Sequence, residues 1–172
     1  MPTNFPTNPD TYTTKVDGVD TVMAAHINDL QDAMMAVEQA LLEWQSYTVS
    51  WTADTTNPAI GNGTLIGRYT QIGKTVMGSI YLKCGSTTTY GSGAWFFGLP
   101  KTVANSGTPY LGTFTILDVG SIFYSGAVNI HPGIFISNFV RDNDGSGILS
   151  STIPHTWAVN DELKVAFTYE TS

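Results

Sequence analysis

The amino-acid sequence predicts a mainly β protein, with an extended arm over residues 1–20, one oligomerising helix over 21–45 and a C-terminal antiparallel β-sandwich over 46–172. Three observations lead there. Apolar residues at Met23, Ile27, Leu30, Met34, Val37, Leu41 and Trp44 keep a strict 4-3-4-3 spacing through about three heptads. From Tyr47 onward, short runs rich in β-branched and aromatic residues alternate with Gly, Asn, Pro or Ser. Before Asp20, the prolines Pro2, Pro6 and Pro9 interrupt any periodicity.

The arm reads as extended, with polyproline character, and such a segment needs a surface to lie on or stays a free tail. Phe5, Pro6 and Tyr12 are its attachment residues. The helix is expected to begin at Asp20 or Thr21, either of which can accept a hydrogen bond from a first-turn N–H. Within it Ile27, Met34 and Leu41 take a positions, while Met23, Leu30, Val37 and Trp44 take d positions. A helix packed on its own domain needs a broader apolar face, because the 3.6-residue period drifts against a 3.5-residue repeat. So narrow a stripe is a seam for other chains. The flanks are small or weakly charged (His26, Ala33 and Ala40; Ala24, Gln31 and Glu38), which favours three strands over two, although the mixed a positions leave a dimer open.

Eight β runs follow, at 47–51, 65–72, 75–83, 94–99, 110–119, 122–130, 134–140 and 162–169. Their number and spacing predict a sandwich or barrel, with a jelly roll the first choice. The alternation from Lys164 to Tyr169 marks a last strand with one buried face.

Composition narrows the function. At 172 residues and 42% apolar, the chain holds one ordinary domain plus an appendage. Charged residues make up only 12%, so the surface is hydroxyl-rich. Most of the net charge of −7 lies in residues 1–47, where seven acids face Lys15 alone. No basic stripe exists to neutralise phosphates, which argues against nucleic-acid binding. Cys84 is the only cysteine and, beside Ile80 and Leu82, reads as a buried strand thiol. Neither a leader-like N-terminus nor a stretch of membrane-spanning length is visible, so synthesis and folding in a cytoplasm are expected.

The chemistry-bearing patterns point away from catalysis. Gly73-Lys74-Thr75 ends like a phosphate loop, but Arg68 stands where that loop needs glycine and a strand follows instead of a helix, so a tight turn is expected. Asp142-Asn143-Asp144-Gly145 opens like a calcium loop, yet its twelfth position is Ile153, which leaves a solvated turn. His26, His131 and His155 are scattered, with no Cys or Glu at ligand spacing, so neither a metal nor a cofactor is expected. No nucleophile elbow stands on a strand-to-helix turn, and no glycosidase carboxylate pair is evident, so no enzyme is expected. Aromatics at alternating strand positions belong to cores more often than to surfaces; Tyr90, Trp95, Tyr110, Tyr124 and Trp157 are nonetheless the candidates for stacking a sugar or anchoring an interface.

These residues carry a resemblance. Phe5-Pro6-Thr7, Asp10 and the stretch from Val16 to Thr21, followed by His26, Leu30, Ala33 and Glu38, resemble a segment of many bacteriophage virion proteins. The stretch Asn57-Pro58-Ala59-Ile60-Gly61-Asn62-Gly63-Thr64-Leu65, with Gly67-Arg68-Tyr69 and Ile72-Gly73-Lys74-Thr75-Val76, resembles a β domain of phage tail-fibre and related appendage proteins. The resemblance implies a homotrimeric virion component, attached through the arm to tail, neck or capsid proteins and presenting the β head outward, while the aromatics and hydroxyl-rich loops of the head point separately to a host receptor or glycan. Capsid decoration is the alternative, and a polysaccharide-degrading appendage the third. No active site and no membrane insertion are implied.

Overall fold

The computed structural model describes residues 23–136, 138–141 and 148–172. These residues divide into two compact units, one holding the helix with Gln71–Gly73, the other running over Trp44–Thr70 and Lys74–Ser172.

The helix, α1, spans Ala24–Leu42. Asp20 and Thr21, the expected caps, lie outside the described residues, and the observed N-cap is Met23, in extended conformation. The His26 ring takes the capping role instead, its Nδ1 accepting from the Met23 N–H at 3.1 Å. At the other end Glu43 is extended, so the helix stops short of Trp44. Trp44 therefore belongs to the head, where the Arg68 guanidinium sits 5.8 Å from its ring centroid.

The head is built from antiparallel strands, as its alternation predicts: β1 (Gln45–Tyr47), β2 (Trp51–Ala53), β3 (Thr64–Ile72), β4 (Thr75–Lys83), β5 (Trp95–Val103), β6 (Tyr110–Leu117), β7 (Phe123–Ile130), β8 (Gly133–Ile136), β9 (Asn138–Arg141) and β10 (Glu162–Glu170). A seven-stranded sheet runs β1-β3-β4-β10-β6-β7-β9, and a three-stranded sheet runs β2-β5-β8. This seven-and-three division differs from the even split of a jelly roll. Two sequence runs each serve both sheets. The run at 47–51 supplies the end of β1 and the start of β2, and the run at 134–140 supplies β8 and β9. Gly73, at φ +58°, makes the expected tight turn between β3 and β4.

Register makes the buried faces coincide. On β10, Leu163, Val165, Phe167 and Tyr169 point inward and pair with Leu82, Ile80, Gly78 and Val76 of β4. A Cβ on Gly78 would lie 2.4 Å from the Phe167 ring, so glycine there makes room for the phenyl group. On the other flank Leu163 and Val165 meet Ile116 and Phe114 of β6. The three-stranded sheet adds Trp51, Trp95, Phe97 and Ile136 to the same core.

Candidate functional site

Four features of the described residues are able to carry function. The first is the helical stripe. Ile27, Leu30, Met34 and Val37 keep 38–58% of their surface exposed within one chain, as does the N-cap Met23. Met35, just off the seam, is exposed as well and widens the apolar face by one residue. Leu41 lies within α1, where its side chain is outside the described set, and Trp44 is exposed on the head. Apolar side chains left this open along one line lower their free energy by meeting a partner. The arm residues Phe5, Pro6 and Tyr12 lie outside the described residues, as does the acidic turn at 142–147.

The second feature is the aromatic set, and here the structure corrects the sequence reading. Trp95 is fully buried and Trp157 nearly so, so neither offers a ring face to a ligand. Trp95 packs edge-on against Trp51 at 4.7 Å and tilted against Trp157 at 5.1 Å, and its indole N–H donates to the Tyr90 carbonyl at 3.0 Å. Tyr90, Tyr110 and Tyr124 are half-buried and pack against the core. These rings hold the domain together, because large rings contribute most to stability when fully removed from water.

The third feature has no counterpart in the sequence reading. The outward side chains of β4, β10 and β6 leave an open trough of about 390 Å³, with Ser79, Tyr81, Thr113, Thr115, Lys164 and Ala166 around it. Small residues on adjacent strands form it, between taller neighbours. Lys164 Nζ lies 3.0 Å from Glu162 Oε2 and 5.9 Å from the Tyr81 ring centroid. The hydrogen bond from Lys164 holds the Glu162 carboxyl below its ordinary range.

The fourth feature lies where the β6–β7 turn meets the loop leading into β10. Asn160, at φ +71°, turns the chain so that Asp161 points inward. Asp161 Oδ1 accepts from the Val119 N–H at 3.0 Å. Oδ2 accepts from the Ala158 N–H at 2.7 Å and lies 2.9 Å from His155 Nε2. The imidazole stacks on the Tyr124 ring, with centroids 5.5 Å apart and planes 2° from parallel. Asp118 brings a second carboxylate, and its ligand-type atom and those of His155 and Asp161 all lie within 4.8 Å of one another. Spacing along the chain gave no sign of this, since Asp118 comes from a different strand connection. The same turn exposes Val119, Ile122 and Phe123.

Cys84 is a buried strand-end thiol, as expected. Burial, reinforced by the nearby Asp161 charge, pushes its pKa from 9.0 up to about 12. The unfolded chain therefore loses this proton at lower pH than the folded one. The thiol's contribution to stability is complete below about pH 9 and fades as pH rises toward 12. Native protein at pH 8 is expected to resist a chromogenic disulfide reagent, and one thiol per chain to react once denaturant is added. Rapid labelling of native protein would contradict the buried assignment.

The chain is 30% identical, over 125 residues, to the Mu-like prophage FluMu defective tail fiber protein of Haemophilus influenzae. The matched region covers 72% of this chain and 20% of that protein, so the chain spans about a fifth of its relative's length. No family model matches the chain. No solved structure matches it either. The chain is thus similar to one part of a phage tail fiber protein. Among the described residues, no helix is long and apolar enough to cross a membrane.

Proposed function

We propose that this chain is a non-enzymatic structural component of a phage virion, a homotrimeric tail-fibre-type appendage with its β head turned outward. The observation that carries the reading is the similarity to a tail fiber protein over most of this chain. The open heptad stripe on α1 supports self-association. The arm, with Phe5, Pro6 and Tyr12, attaches the trimer to other virion proteins.

Contact with a host glycan or receptor falls to the trough on the outer sheet face, because the predicted tryptophans are buried. Shallow surfaces bearing hydroxyls, a tyrosine and a cation suit sugar rings. Immunogold labelling of intact virions tests the whole reading. A few copies at the tail are expected, whereas labelling spread over the shell would assign the protein to capsid decoration. Glycan-array binding by the full chain, lost in Lys164→Ala, tests the surface; an unchanged profile in that variant would remove it.

A further inference from the structure

The Asp118, His155 and Asp161 cluster brings two carboxylates and an imidazole together in the head, and the structural role proposed above makes no use of it. Two of its three side chains are out of water, His155 at 8% and Asp161 at 2% exposure, while Asp118 is half-buried. His155 Nδ1 is buried with no hydrogen-bond partner, so the imidazole has left water for a single polar contact. Two carboxylates converge on that one ring.

We propose that Asp118, His155 and Asp161 form a divalent transition-metal site, with Zn²⁺ the ion it fits best, which ties the β6–β7 turn to the loop preceding β10. One imidazole nitrogen with two carboxylate oxygens suits zinc or its first-row neighbours, whereas calcium and magnesium prefer oxygen alone. Three protein ligands leave one position, on the side of the half-buried Asp118, for water. The surroundings are already those of a ligand set. Asp161 keeps the Val119 and Ala158 N–H groups as orienting donors, so its oxygen toward His155 is fixed before any ion arrives. Tyr124 fixes the ring plane.

The geometry needs little change. Ligand bonds of about 2.0–2.2 Å around a tetrahedral zinc place neighbouring ligand atoms roughly 3.3 Å apart. The 2.9 Å pair of His155 and Asp161 opens by a few tenths of an ångström, and the Asp118 carboxylate swings inward. On binding, the neutral imidazole shifts to its Nδ1–H tautomer, so the ring's proton moves from Nε2 to Nδ1 and the Nε2 lone pair takes the metal. Charge favours binding, because a divalent cation offsets two carboxylates held partly away from water.

The test uses the full chain stripped with a chelator and titrated with ZnCl₂, followed by calorimetry and thermal unfolding. One zinc per chain is expected, with a Tm rise of roughly 5–10 °C when free zinc exceeds Kd a hundredfold. CaCl₂ at the same concentration is expected to leave Tm unchanged. Asp118→Asn, at a half-buried turn position, is expected to keep the metal-free Tm and weaken zinc binding at least tenfold. X-ray absorption on the zinc-loaded wild type, which depends on no variant, is expected to show nitrogen and oxygen neighbours without sulfur. Absence of saturable binding below about 1 mM would overturn the proposal. So would equal affinity in Asp118→Asn and His155→Gln, since the ion would then sit elsewhere, for example at His26.

Discussion

Replacing Leu30 with aspartate is expected to convert the assembled protein to monomers that keep the β signature of the head. Leu30 is 51% exposed in the single chain, and its neighbours along the stripe are comparably open. Covering the exposed half of such a side chain contributes on the order of 1 kcal/mol, and the contribution recurs along the seam and in every chain. An aspartate reverses that sign. Its carboxylate loses water without gaining a partner, at a cost of several kcal/mol. A symmetric bundle repeats the cost in each chain and places like charges in one layer. The variant is therefore expected to sediment as a monomer at micromolar concentration. Its helical signal falls as well, because a helix of 19 residues is marginal alone in water. The strand signal and the cooperative unfolding of the head persist. An unchanged sedimentation coefficient in Leu30→Asp would break the link between stripe and assembly, and Val37→Asp provides an independent repeat.

The stripe was legible because a heptad spacing is local information. Ile27, Leu30, Met34 and Val37 announce a helix and its open side without reference to any other part of the chain. Strand β10 was legible for the same reason, since alternation from Leu163 to Tyr169 is fixed by the pleat and one buried face. The helix ends were not. His26 caps the described start through its ring nitrogen, and the chain extends at Glu43, so Trp44 continued the spacing without continuing the helix. Apolar periodicity has no means of distinguishing those cases. The two runs that change sheets were hidden likewise, because β-branched residues favour extension whichever sheet receives the strand. For the His155 cluster the obstacle was distance along the chain, as Asp118 meets Asp161 only after β6, β7 and β10 have paired.

Trp95→Ala is expected to produce the largest loss of head stability, about 3–5 kcal/mol, with a fall in Tm of roughly 6–20 °C. The indole has no exposed surface, and it contacts Trp51, Phe97 and Trp157 at ring separations of 4.7, 6.4 and 5.1 Å. Truncation leaves a cavity that those rigid rings fill poorly, and it strands the Tyr90 carbonyl that the indole N–H satisfied. The edge-on pairing with Trp51 adds a contribution of about 0.5–1.5 kcal/mol beyond burial, which a double-mutant cycle of Trp51→Leu and Trp95→Leu isolates. Urea unfolding is expected to show a lowered midpoint at unchanged slope, because the denatured chain exposes nearly the same surface. A loss below about 1 kcal/mol would return Trp95 to the list of surface contacts. This ring separates two readings of an aromatic-rich sequence. If Trp95 stacked on a ligand, truncation would abolish binding and leave the fold intact. Full burial assigns the cost to folding, so Trp95 offers no ring face to a ligand.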